Sequence, residues 1–177
     1  MDLAQIILAL ALAHGHTDHA RLAAVADDIA VVSRTHPVLC GDARVDGTAL
    51  LLAAVAEHES GWHPGVQDGS RCMPGSIWCD RGQAISLYQL RSPAWLTYSR
   101  ERINADHRLS AELAARVLMR YRKRATVREL FVGYATGGRV RQCKAADEIA
   151  AIFETLARKS GIRVSFERGC LTARYVK

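Results

Sequence analysis

Glu59 ends an apolar helical run in which Leu52, Val55, Ala56 and Glu59 share one face. A carboxylate on a core-facing stripe is set up for proton transfer, and glycosidic bond cleavage needs a partly desolvated carboxylic acid. A general acid must hold its proton near neutral pH, which a solvated carboxylate does not. Desolvation on that stripe would supply the difference. Glu57 and His58 are its neighbours but point to other faces, so they read as surface or supporting groups. Glycosidases with two carboxylates place them about 5–5.5 Å apart for retention or about 6.5–9.5 Å apart for inversion. Asp68 and Asp80 are the candidates for a second one, although Asp68-Gly69 and Asp80-Arg81-Gly82 also read as plain turns.

Two further patches hold groups suited to a polar ligand. The stretch from Gly82 to Leu90 supplies a turn, an apolar anchor and the amide of Gln89, with Ser86 and Tyr88 between. The stretch from Gly133 to Gly138 supplies Tyr134 ahead of a glycine turn. Trp62, Trp78, Tyr88, Trp95 and Tyr98 gather around the first of these patches. Sugar rings stack their C–H faces on aromatics, and Trp62 and Trp78, beside glycines in loops, suit a groove better than Trp95, which reads as core.

Helices must position these groups. Alanine and leucine are abundant and aromatics few, which favours helix over sheet. Residues 2–13 and 19–33 read as helices, the second with Leu22, Val25, Ala26, Ile29 and Val32 on one face. Residues 34–47 read as a loop, and Thr48 as the cap of a helix that runs to Glu59 and stops at Gly61. The stretch 61–84 carries five glycines and two prolines and reads as irregular. Helices are expected over Ala94–Arg102, after a cap at Ser110, and from the Thr126–Glu129 capping box to Val132. Another spans Asp147–Lys159, with Ile149, Ile152, Phe153 and Leu156 inward and Gly161 as its stop. Ile162–Phe166 alternates like a short strand. The expected organisation is an N-terminal helical extension over 1–40 and a catalytic body over 41–177.

The net charge of +6 draws the chain toward polyanions, whether nucleic acid, anionic lipid or an acidic cell wall. Arg120-Tyr-Arg-Lys-Arg124 could serve nucleic acid, but no recognition motif accompanies it and such a run reads as a solvated helix end. Of the five cysteines, Cys72 and Cys79 flank a Pro-Gly turn and either close a small disulfide loop, as in an oxidising compartment, or remain thiols. His14, His16, Asp18 and His19 could meet a metal, yet read as a solvated linker. The apolar N-terminus imitates a signal peptide but has Asp2 where a basic region belongs, and it is too short to span a bilayer.

The three patches, in this order, resemble the lysozyme-like lytic transglycosylase family, which cuts peptidoglycan strands. Glu59-Ser60 matches the family's catalytic glutamate and the serine after it, with Trp62 as the nearby aromatic. Gly82–Gln89 is similar to the family motif Gly-Ala-x-Gly-Leu-Met-Gln, with one extra residue and Ser86 in place of a glycine. Gly133–Gly137 is similar to Ala-Tyr-Asn-Ala-Gly, with Ala135 replacing the asparagine. The likeness spans residues 48–140. It implies a mainly α, lysozyme-like α+β fold with a loop-rich or small β region after the catalytic helix. It implies Glu59 as the catalytic residue and Ser60, Trp62, Ser86, Tyr88, Gln89 and Tyr134 as substrate-binding residues, with no metal or cofactor.

The implied activity is cleavage of the MurNAc-GlcNAc β-1,4 bond by one glutamate, acting as acid and then as base to give a 1,6-anhydro sugar. A muramidase of the same fold is the nearest alternative, and a non-catalytic structural protein of a phage particle or secretion machine is another. The implied partner is the peptidoglycan glycan strand, with no specific nucleic acid and no membrane span. The expected place of action is the periplasm or cell wall, reached by way of a phage virion or secretion complex.

Overall fold

The computed structural model describes residues 3–12, 17–72, 77, 79–91, 97–138 and 142–176. Within these the chain is mainly helical and ends in a small antiparallel hairpin. The first two helices are α1 (Leu3–Leu12) and α2 (His19–Thr35). Asp18 caps α2 by accepting from the Arg21 amide at 3.1 Å. Next comes α3 (Arg44–Ser60), which ends at Gly61 in the left-handed conformation that glycine adopts freely.

Every residue of α3 from Gly47 to Ala56 is buried. A helix apolar on all sides has to be enclosed. Here α1, α2, α7 (His107–Tyr121), α9 (Lys144–Lys159) and the second hairpin strand all touch α3. The carboxylate of Glu59 therefore emerges from the middle of the molecule. Leu50, Leu51 and Leu52 are fully enclosed, and cutting any one to alanine would cost about 2–5 kcal/mol.

Thr48 is not the cap of α3. The helix starts four residues earlier, and the buried Thr48 hydroxyl accepts from the Val38 and Leu39 amides at 2.9 and 3.3 Å. Ser110 is likewise internal to α7, where it donates to the His107 carbonyl, and Asp106 is the true cap. The helix expected at Ala94–Arg102 lies partly outside the described residues; the observed one is α6 (Arg100–Ala105), capped by Ser99. The capping box at Thr126 starts α8 (Val127–Thr136): Thr126 accepts from the Glu129 amide at 3.1 Å, and Glu129 accepts from the Ala125 amide at 3.0 Å.

The stretch after α3 is loop-rich, as expected. It holds the single turn α4 (Pro64–Gln67), a short left-handed segment α5 (Cys79–Gly82), and one antiparallel bridge between Ile85 and Leu90. The sheet proper lies elsewhere, where β1 (Ile162–Glu167) pairs with β2 (Cys170–Tyr175) from Ile162↔Tyr175 to Glu167↔Cys170.

A disulfide joins Cys40 to Cys170, and the Cys40 amide donates to the Leu171 carbonyl at 2.9 Å. The boundary expected near residue 40 thus falls on a covalent tie to the hairpin. One hydrophobic core holds residues from both sides of it, among them Ile7, Leu22, Leu51 and Phe153. A second disulfide joins Cys72 to Cys79, the small loop that the sequence left open. Two disulfides fit an oxidising compartment. No described helix is long and apolar enough to cross a membrane.

Candidate active site

The ends of α3, α7 and α8, the turn at 84–91, Asp80 of α5 and Ala145 of α9 line a cleft of about 730 Å³. The C-terminal end of α3 brings Glu59, with its side chain 20% exposed. The turn at 84–91 brings Gln89, Leu90 and Arg91. The C-terminal halves of α7 and α8 add Arg120 and Tyr121 on one side, and Tyr134, Ala135 and Thr136 on the other. Glu59, Gln89 and Tyr134, drawn from the three sequence patches, thus line one cleft.

Tyr134 is anchored: its hydroxyl donates to the Tyr88 carbonyl at 2.6 Å, tying α8 to the turn that carries Gln89. Burial, and then the charge of Glu59, holds the Tyr134 phenol well above its ordinary pKa, so it stays protonated and keeps its donor. Gln89 donates to the Ser86 carbonyl at 3.1 Å and to Cys79 Sγ at 3.5 Å. The Cys72–Cys79 disulfide therefore backs the cleft wall that carries Gln89.

Four expected binding residues do not reach the cleft. Trp62 is 1% exposed; its indole N–H turns back to donate to Glu57 at 2.6 Å, and Arg21 of α2 donates to its carbonyl at 2.9 Å. Ser60 finishes α3 by donating to the Ala56 carbonyl at 2.7 Å and accepting from the Trp62 amide at 3.2 Å. Ser86 and Tyr88 are both 1% exposed and belong to the core behind the turn. Their part in the site is to hold Gln89 and Tyr134. Trp78 and Trp95 lie outside the described residues. Tyr98 stacks with the Arg102 guanidinium and does not line the cleft.

Of the two candidate second carboxylates, Asp80 lines the cleft and pairs with Arg91 at 2.9 Å. Asp68 accepts from the Ser70 amide at 2.8 Å in its own turn and is absent from the cleft wall. No group of three His, Cys, Asp or Glu side chains among the described residues could hold a metal. His14 and His16 lie outside them.

His58, which the sequence leaves as a surface or supporting group, stands beside Glu59. His58 bridges it to α9: one ring nitrogen stands 3.6 Å from the Glu59 carboxylate and the other 2.9 Å from Glu148. Glu59 foremost raises the His58 pKa, burial opposes the rise, and Glu148 adds to it. The signal was weak, since the contact with Glu148 spans ninety residues.

Tyr121 was missed, and it accounts for the glycine that opens the third patch. A Cβ at Gly133 would fall 2.3 Å from the Tyr121 ring, so only glycine lets α8 approach α7 this closely. No protein-family model, curated protein or solved structure matches this chain.

Proposed function

We propose that the chain is a peptidoglycan-cleaving enzyme of lytic transglycosylase type, with Glu59 as its single acid and base. The observation that carries this reading is the meeting of Glu59, Gln89 and Tyr134 in one open cleft. The cleft is open and mixes charged and amide groups (Glu59, Gln89, Arg120) with apolar ones (Leu90, Val117), which suits a sugar polymer better than a compact apolar ligand. Glu59 in its acid form gives its proton to the glycosidic oxygen, which leaves as the new hydroxyl of the departing strand. The muramic acid C6 hydroxyl then attacks the anomeric carbon, assisted by the N-acetyl group. Its proton passes to the Glu59 carboxylate, which restores the acid and closes a 1,6-anhydro ring.

Gln89 is in place to hold the sugar by its amide, and Tyr134 to hold the turn beneath it. Ala135 stands where the family has an asparagine, so the saccharide has one polar contact fewer there. The two disulfides suit action outside the cytoplasm, in the periplasm or cell wall.

Asp80 supports a second reading, hydrolysis by a muramidase of the same architecture. It lines the same cleft as Glu59 and could activate water. Its ion pair with Arg91 occupies it, and for that reason we favour the one-glutamate mechanism.

Digestion of purified sacculi by the wild type and by Glu59→Gln, with mass spectrometry of the soluble fragments, tests both readings. Anhydro-muramyl products from the wild type alone support the transglycosylase. Reducing ends that disappear in Asp80→Asn support hydrolysis. Release by neither protein, with both folded, refutes catalysis and leaves a structural role in a phage particle or secretion machine.

A further inference from the structure

The end of α7 carries more positive charge than the helix needs. Arg116, Arg120, Arg122 and Lys123 wall a shallow depression of about 350 Å³ together with Met119. Cations at a helix C-terminus offset its dipole, but that effect is confined to the last turn and is small for exposed groups. Arg116 is already engaged by Glu112. No acidic side chain among the described residues pairs with Arg120, Arg122 or Lys123. Arg120 lines both this depression and the Glu59 cleft, so the two adjoin.

A neutral sugar ring offers three unpaired cations hydroxyl acceptors but no charge to match. Carboxylates do, and guanidinium groups take them with two parallel hydrogen bonds. We infer that Arg120, Arg122 and Lys123 form a docking strip for the carboxylates of acidic peptides attached to the glycan, and so favour peptide-bearing strands over bare ones. The inference rests on the proposed reading of the cleft. It adds that the substrate is chosen by its peptide substituents as well as by its sugars. Arg120 belongs to both linings, which sets the strip beside the cleft on its α7 side.

Two measurements on the full chain test it. The first is the ratio of turnover on sacculi with intact stem peptides to turnover on amidase-stripped glycan strands, their lactyl carboxylates capped as amides. The wild type should prefer the peptide-bearing form on the order of tenfold, and Arg122→Gln/Lys123→Gln should bring the ratio close to one. A wild-type ratio near one, or a double variant that keeps the preference, overturns the inference while leaving the glycosidase reading intact.

The second is fluorescence anisotropy with a labelled, free acidic stem peptide. It needs no turnover, and so separates failure of this inference from failure of the catalytic reading. Binding that weakens with salt and is lost in Arg120→Gln supports the strip even if no bond is cut. Absence of binding, or equal retention of duplex DNA and peptide, overturns it.

Discussion

The hydroxyl of Tyr134 donates to the backbone carbonyl of Tyr88 at 2.6 Å, and this bond joins α8 to the turn carrying Gln89. The bond is partly buried, Tyr88 is itself 1% exposed, and its carbonyl lies in a turn with no ladder to replace the lost donor. Tyr134→Phe keeps the ring and removes the bond. We expect a loss of about 1–3 kcal/mol, because a buried acceptor is left unsatisfied. Urea denaturation should show a lower midpoint at unchanged slope. Sacculus release should fall as well, since the position of Gln89 depends on the same turn.

Ser86 sits at φ +64° with its side chain buried. An L-residue held there pays roughly 1–2 kcal/mol that glycine does not. Its hydroxyl recovers a little by accepting from the Tyr88 amide at 3.4 Å, a long bond. Ser86→Gly should therefore raise stability by about 1 kcal/mol, or about 2–4 °C in Tm for a chain of this size. Calorimetry that showed a lower Tm would mean that the buried hydroxyl matters more than the backbone strain.

What the sequence disclosed depended on how local each signal was. The Thr126 box, the Gly61 stop and the amphipathic stripe of α9 are written within a few residues, and the structure has them in place. Glu59, Gln89 and Tyr134 were legible because each sits at the end of such a local element. Trp62 was misread because its position depends on its own φ of +61° and on a partner, Glu57, one turn back. Thr48 and Ser110 have the residue types of caps, yet each bonds elsewhere, Thr48 to a loop ten residues upstream. The Cys40–Cys170 pair spans 130 residues, and β2 exists only against β1, so neither could be read from a window of sequence.

His58 ties stability to pH. Its pKa is raised in the folded chain, by Glu59 foremost and by Glu148, above an unfolded value of about 6.5. A raised pKa means that the folded state binds the proton more tightly. The stabilisation is therefore complete below pH about 6.5 and fades as pH rises through the folded value. Urea midpoints measured from pH 6 to 9 should fall across that window in the wild type and stay level in His58→Gln. Parallel profiles for the two proteins would show that His58 is not the group responsible.

Gly133 and Tyr121 form a matched pair. Gly133→Ala pushes a methyl into the Tyr121 ring and should destabilise by about 1–3 kcal/mol through overpacking. The same change made in Tyr121→Ala should cost far less, because the obstructing ring is gone. A double-mutant cycle gives the coupling directly, and additivity within about 0.5 kcal/mol would sink the packing account.

The two disulfides should separate stability from the cleft. Cys40–Cys170 closes a loop spanning 130 residues and Cys72–Cys79 one spanning seven. Loop-closure entropy assigns them about 5 and about 2 kcal/mol respectively. Replacing the first pair by alanine should lower the Tm more. The second pair backs Gln89 and is followed by Asp80 and Arg81 at φ +50° and +57°, a strained segment on the cleft wall. Its removal frees that wall to relax to right-handed backbone. We therefore expect Cys72→Ala/Cys79→Ala to lose the greater share of sacculus release while keeping the greater share of stability. Measuring both quantities on both variants checks the claim, and a loss of activity that merely follows Tm would show that the short loop is a staple and nothing more.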